Sequence, residues 1–261
     1  MAESLPVHHG WIAPGARVGA IGMPPGQNVA GFPVGILYID QVHYPLLPGN
    51  VVNAWTYDFP VRMSAIPGLT NEQVFRGDAG VVDALVAAGL RLQQEGVRAV
   101  TGACGFFGNF QQQLAGALDV PVAMSSLVQI PWIRTVIGPG RRIAVLSANG
   151  PAISDDLLAA CGVDRRDDLL LADLGAEPQF SAIIENRGGF DDDVVRQEVV
   201  DAARRLVDGH ADVGAVLLEC SDMPPYSADI QAAVGRPVFD FITLIRWLRF
   251  AVQQTPYHGF V

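Results

Sequence analysis

The stretch Val97-Arg98-Ala99-Val100-Thr101-Gly102-Ala103-Cys104 decides the fold of this chain. A short apolar run stops abruptly at small and polar residues. The pattern returns in Ala215-Val216-Leu217-Leu218-Glu219-Cys220. Apolar runs of this length, bounded by turn residues, read as strands buried on both faces, the kind found in parallel sheets. In such sheets ligands bind beyond the carboxyl ends of the strands. Both runs put a cysteine there.

Outward from Cys104, residues 17–22 read as a first strand, 35–40 as a second and Val61–Ile66 as a third. Residues 41–60 form a Pro/Gly/Asn-rich connection too long for a simple turn, a length usually tied to function or disorder. Residues 71–95 read as one long amphipathic helix capped by Thr70 or Asn71 and ended by Gly96. A helix at 109–118, a strand at 120–124 and a helix at 126–137, kinked at Pro131, complete the first pass.

The second half starts again. Arg142–Ser147 is a strand resembling 17–22, and Ser154 caps a short helix with Asp155 and Asp156 in its first turn. Residues 168–172 form a strand, 191–208 a long helix, Val213–Leu218 a strand and 226–234 a helix. A last strand at 237–239 leads into a final helix at 241–253, with Trp247 and Phe250 expected to face inward. The expected fold is α/β: two pseudo-symmetric doubly wound domains with mostly parallel sheets and a site in the cleft between them. Residues 1–16 are an N-terminal arm, 17–125 the first lobe and 126–236 the second. Residues 237–261 are a C-terminal segment returning to the first lobe.

Bulk properties narrow the function. The chain has 261 residues, half of them hydrophobic, with a net charge of -10 and three cysteines. No basic stripe argues for nucleic acid. Every apolar run is too short to span a bilayer, and no signal-peptide pattern opens the chain. An odd cysteine count without framework spacing points to reduced thiols and a cytoplasmic setting. Metal-ligand spacings are absent, so no metal is expected; His8 and His9 read as a solvated tail. The glycines at 19–26 do not make a dinucleotide fingerprint.

The two thiols therefore carry the chemistry. A thiolate on one face of a carbon acid removes a proton, and a thiol on the other face returns one. After Cys104, Gly105 and Gly108 let backbone amides approach a sulfur or a carboxylate. Cys220 is flanked by Glu219 and Asp222, and a carboxylate beside a thiol disfavours the thiolate. Cys104 is therefore the expected base and Cys220 the expected acid, provided Glu219 does not turn to the other face of its strand.

The motifs Thr101-Gly102-Ala103-Cys104-Gly105-Phe106 and Leu217-Leu218-Glu219-Cys220-Ser221-Asp222-Met223-Pro224-Pro225-Tyr226 resemble the two cysteine motifs of the aspartate/glutamate racemase superfamily. That group includes amino-acid, hydantoin and allantoin racemases, maleate isomerases and arylmalonate decarboxylases. The resemblance in layout spans residues 17–250. It implies a cofactor-independent racemase or epimerase acting beside a carboxylate or carbonyl, with Cys104 and Cys220 catalytic. It also implies a small carbon-acid substrate, a carboxylate or hydantoin, and a homodimer or higher homo-oligomer. The alternatives are a cysteine-dependent decarboxylase or cis-trans isomerase, and a non-catalytic small-molecule binding protein. Amino-acid racemases carry Asn-Thr and Thr-His after their cysteines; here Gly105-Phe106 and Ser221-Asp222 stand instead. That points to a less polar substrate than glutamate or aspartate.

The expected substrate-binding residues are Gly105, Phe106, Ser147, Asn149, Ser221, Asp222, Asp40 and Asn50. Tyr44 shares the loop of Asn50, and His43 reads as a loop histidine. Arg62 and Arg76 read as surface arginines, Cys161 as structural, and Asp240 with Thr243 as a helix cap.

Overall fold

The computed structural model describes Leu5, Val7 and residues 12–261. His8 and His9 lie outside the described residues, as does most of the segment read as an arm.

Among the described residues, eight strands form two sheets. The first contains β1 (Val34–Ile39), β2 (Val61–Ile66), β3 (Ala99–Gly102) and β4 (Val122–Ala123), in the order β2-β1-β3-β4. The second contains β5 (Arg142–Ser147), β6 (Leu169–Asp173), β7 (Val213–Leu218) and β8 (Val238–Phe239), in the order β6-β5-β7-β8. Every pairing is parallel. The two orders are the same once β1 is matched to β5, so β3 and β7, the strands before the two cysteines, occupy equivalent places.

Alternation along the strands builds three apolar layers. Leu37 and Ile39 of β1 join Ile143 and Val145 of β5 and Ala215 and Leu217 of β7 in one core shared by both sheets. Val34 and Ile36 turn to the opposite face, where Phe241, Leu244, Ile245 and Leu248 of the final helix cover them. That helix, Phe241–Val252, follows the last strand of the second sheet yet packs on the first. Ala144, Leu146, Val216 and Leu218 face a third layer, under the long helix Asp192–Gly209.

Several sequence expectations need correction. Residues 17–22 are not a strand: 17–21 are exposed, and Gly22 makes an isolated bridge to Val7. The true counterpart of β5 is β1, whose six residues bury both faces. The helix expected over 71–95 is two, Asn71–Phe75 and Val82–Gln94. Gly77 breaks it with φ +63°, and Asp78 then accepts from the Gly80 amide to start the next turn. The segments at 109–118 and 126–137 begin as 3-10 turns, and Pro131 sits in the first turn of Ile130–Ile137, where proline needs no kink. Helix Phe180–Ile184 was not foreseen. Trp247 and Phe250 face outward, 65% and 59% exposed, because the inward stripe of their helix is filled by Phe241, Leu244, Ile245 and Leu248.

Candidate active site

Cys104 follows β3 and precedes the 3-10 turn Gly105–Phe110; Cys220 follows β7. Both line one cavity at the carboxyl ends of the two sheets. Its wall comes from both lobes: Tyr38, Tyr44, Asn50, Phe75 and Phe106 on one side, and Ala148, Ile183, Glu219, Ser221 and Asp222 on the other. Phe75 and Phe106 pack edge to face, ring centres 4.6 Å apart. Phe106, Ser221, Asp222 and Asn50 thus stand at the cavity as expected.

Asp222 organises one end. It accepts a hydrogen bond from Tyr44 Oη at 3.3 Å and another from Asn50 Nδ2. The Cys220 thiol donates to the same carboxylate at 3.5 Å. The loop at 41–60 is therefore held to the second lobe by its polar tips. Asn50 acts as a clamp, with its Oδ1 accepting from the Val52 amide at 2.8 Å.

Glu219 organises the other end. Alternation along β7 sends Ala215 and Leu217 to the shared core, and Glu219 follows them toward the first lobe. Its Oε2 accepts from Ser147 Oγ at 2.9 Å and from the Ala148 amide at 3.1 Å. Its Oε1 is buried without a hydrogen-bond partner. Oε1 lies so close to Gly105 that a Cβ there would come within 1.7 Å of it. Glycine at 105 makes room for the carboxylate, and Ser147 supports that carboxylate from behind.

The titration of these groups follows from burial and from one another. Burial pushes the Glu219 carboxyl up to about 7, against the pull of Ala148 and Ser147. Burial likewise raises Asp222, opposed by its donors. The Cys104 thiol is raised by burial first and by the Glu219 charge second, while the Phe106 and Phe107 amides oppose the rise. Cys220 is also raised, by burial, then Asp222, then Glu219. Cys104, with no acid beside it in sequence, therefore has one beside it in space. Glu219 turns toward it, and burial beside carboxylates favours the thiol form of both cysteines.

Other expectations separate from the cavity. Asp40 is exposed and lies outside the cavity wall, because β1 ends before it and the chain turns away. Asn149 uses its Oδ1 to accept from the Ala152 amide at 3.3 Å and faces an adjoining outer depression. His43 is exposed. Arg62 pairs with Glu95 and Arg76 with Glu72 on the surface. Cys161 is buried in the shared core against Gly108. Asp240 and Thr243 form a reciprocal cap on the final helix. Tyr38, Asn71, Phe75 and Ile183 also line the cavity, without a sequence expectation for them. Tyr38 reaches the cavity from the carboxyl end of β1, and no local signal marks it.

No family model matches the chain. A dimethylsulfoniopropionate lyase of Durusdinium sp. clade D is 33% identical over 232 residues, covering 84% of this chain and 75% of that protein. Dimethylsulfoniopropionate lyase 7 of Emiliania huxleyi is 31% identical over 267 residues, covering 94% and 77%. Among solved structures, unliganded arylmalonate decarboxylase superposes with a TM-score of 0.53 at 17% identity, over 86% of this chain and 93% of that one. Allantoin racemase from Pseudomonas fluorescens gives 0.54 at 16% identity, over 87% and 99%. The chain shares its fold with these two enzymes.

Proposed function

This chain belongs to the dimethylsulfoniopropionate lyase family, and on that premise we propose that it is a carbon-acid lyase acting on a β-sulfonio carboxylate such as dimethylsulfoniopropionate. The Cys104 thiolate removes a proton from the carbon next to the carboxylate. The electron pair of that C–H bond becomes the C=C bond, and the C–S pair leaves with dimethyl sulfide. Acrylate and one proton complete the balance. Removal of the proton is general-base chemistry, needing no group outside the chain.

The observation that carries this reading is the charge of the cavity wall. Its ionisable residues are the carboxyl groups Glu219 and Asp222, the two thiols, and the phenols Tyr38 and Tyr44; Lys, Arg and His are absent among the described lining residues. Such a wall suits a substrate bearing a cation, and the Phe75, Phe106 and Tyr44 rings add faces that attract one. Neutral donors, such as backbone amides beyond Cys104, remain for the carboxylate.

Racemisation is the second reading, favoured by one observation: Cys220 places a second thiol in the same cavity, and elimination requires a single base. One experiment separates the two. The purified protein is incubated in deuterated water with dimethylsulfoniopropionate and, separately, with chiral carboxylates and hydantoins. Dimethyl sulfide in the headspace and acrylate by NMR are the expected result. Deuterium entry at the Cα of a chiral acid without dimethyl sulfide would replace the lyase reading with the racemase one.

A further inference from the structure

A thiol raised by burial makes a poor base unless something takes its proton. We propose that Glu219 is that acceptor: Oε1 takes the Sγ proton of Cys104 as substrate binds, leaving the thiolate that attacks the substrate C–H bond. This rests on the carbon-acid reading of the cavity.

Three observations carry it. Glu219 Oε2 is committed to two donors, Ser147 Oγ and the Ala148 amide, so a captured proton belongs on Oε1. Oε1 is buried and unpartnered, the arrangement that costs most unless a hydrogen reaches it. It lies against Gly105, the residue after Cys104, in a cavity that both side chains line. The groups that bear on Glu219 are Cys104 from the first lobe, Asp222 and Cys220 from its own segment, and Cys161 across the shared core. Each is an acid in the same sense, and no buried cation among them offers a competing partner. A carboxyl near neutrality, as burial makes Glu219, is suited to accept and release a proton in each cycle.

The cycle balances. The Sγ proton moves to Oε1, the thiolate takes the substrate proton and becomes a thiol again, and Oε1 returns its proton to water. In this step Glu219 acts on the substrate through Cys104.

The test uses the intact protein and iodoacetamide. Labelling of Cys104, read by peptide mass spectrometry from pH 5 to 9, reports the thiolate. If the two groups share one proton, wild-type labelling rises through about pH 7 and then levels off. Glu219→Gln removes that step, and labelling climbs about tenfold per pH unit, as for an isolated thiol. Steady-state turnover of dimethylsulfoniopropionate is measured beside it. Glu219→Gln is expected to cut turnover about 100-fold or more while Cys104 labelling at high pH is unchanged or faster, since a charge that disfavoured the thiolate is gone. Turnover equal to wild type, or wild-type labelling without a step, overturns the proposal. Ser147→Ala keeps the carboxylate but removes one donor, so the step moves to higher pH; an unmoved step also overturns it, whether or not Glu219→Gln folds. Absence of dimethyl sulfide from the wild type sinks the substrate assignment alone, and the labelling profile still decides on Glu219.

Discussion

Ser221 Oγ donates a hydrogen bond to the carbonyl oxygen of Ala103 at 2.9 Å. The residue after one cavity cysteine thus holds the residue before the other. Ser126 repeats the tie, donating to the Leu218 carbonyl at 2.8 Å. The two strand ends are fixed to each other by these side-chain-to-backbone bonds, so both thiols open into one enclosure.

Cys104→Ala is expected to cost about 10²–10⁴-fold in kcat, the usual contribution of a positioned base. Cys220→Ala should cost less, because elimination returns no proton to carbon. Initial rates of dimethyl sulfide release check both. Equal losses would count against elimination.

Asp222→Asn removes a carboxylate that accepts from the Cys220 thiol and disfavours its ionisation. Cys220 should then label faster with iodoacetamide at pH 8, read by peptide mass spectrometry. Slower labelling would contradict the electrostatic assignment.

Gly105→Ala forces a methyl within 1.7 Å of Glu219 Oε1 and 2.5 Å of the Glu219 carbonyl oxygen. Overpacking of this kind costs about 1–3 kcal/mol, and calorimetry should show a lower Tm. Gly116→Ala is the matched control. Gly116 lies in helix Gln111–Ala117, and a Cβ there meets nothing within 4 Å. That change should raise stability by up to about 1 kcal/mol.

Glu219 also sets a stability slope. Its folded pKa, about 7, lies above the ordinary value of 4.5, so the folded state holds this proton more tightly than the unfolded chain. Below pH 4.5 both states are protonated and nothing is lost. As pH rises from about 4.5 to about 7 the native protein loses stability, on the order of 3 kcal/mol at most. Asp222 and Asp240, raised by burial, act in the same direction. Glu219→Gln removes its own share, so the Tm of the variant minus that of wild type should grow between pH 5 and pH 8. A difference independent of pH would show that Glu219 is ionised in the folded protein at every pH tested.

Much of this molecule was legible in sequence. The apolar runs of β3, β5 and β7 and the cysteines closing two of them follow from periodicity. So do the caps at Ser154 and Asp240, each confirmed by a hydrogen bond from its own helix. These depend on residues a few positions apart. The failures share another cause. Residues 17–22 carry a strand-like pattern, yet no neighbour buries them. Trp247 and Phe250 fit an inward stripe until the first sheet, more than a hundred residues earlier, selects Leu244 and Leu248 instead.

The sequence by itself determined a repeated parallel α/β unit and two thiols at equivalent strand ends, because strand periodicity and strand termini are local properties. Only the tertiary structure decided what surrounds those thiols. It brought Glu219 against Gly105 across 114 residues of chain, and Tyr44 and Asn50 onto Asp222 across 178 and 172. Burial in that shared enclosure, rather than neighbours in sequence, sets which groups hold protons there.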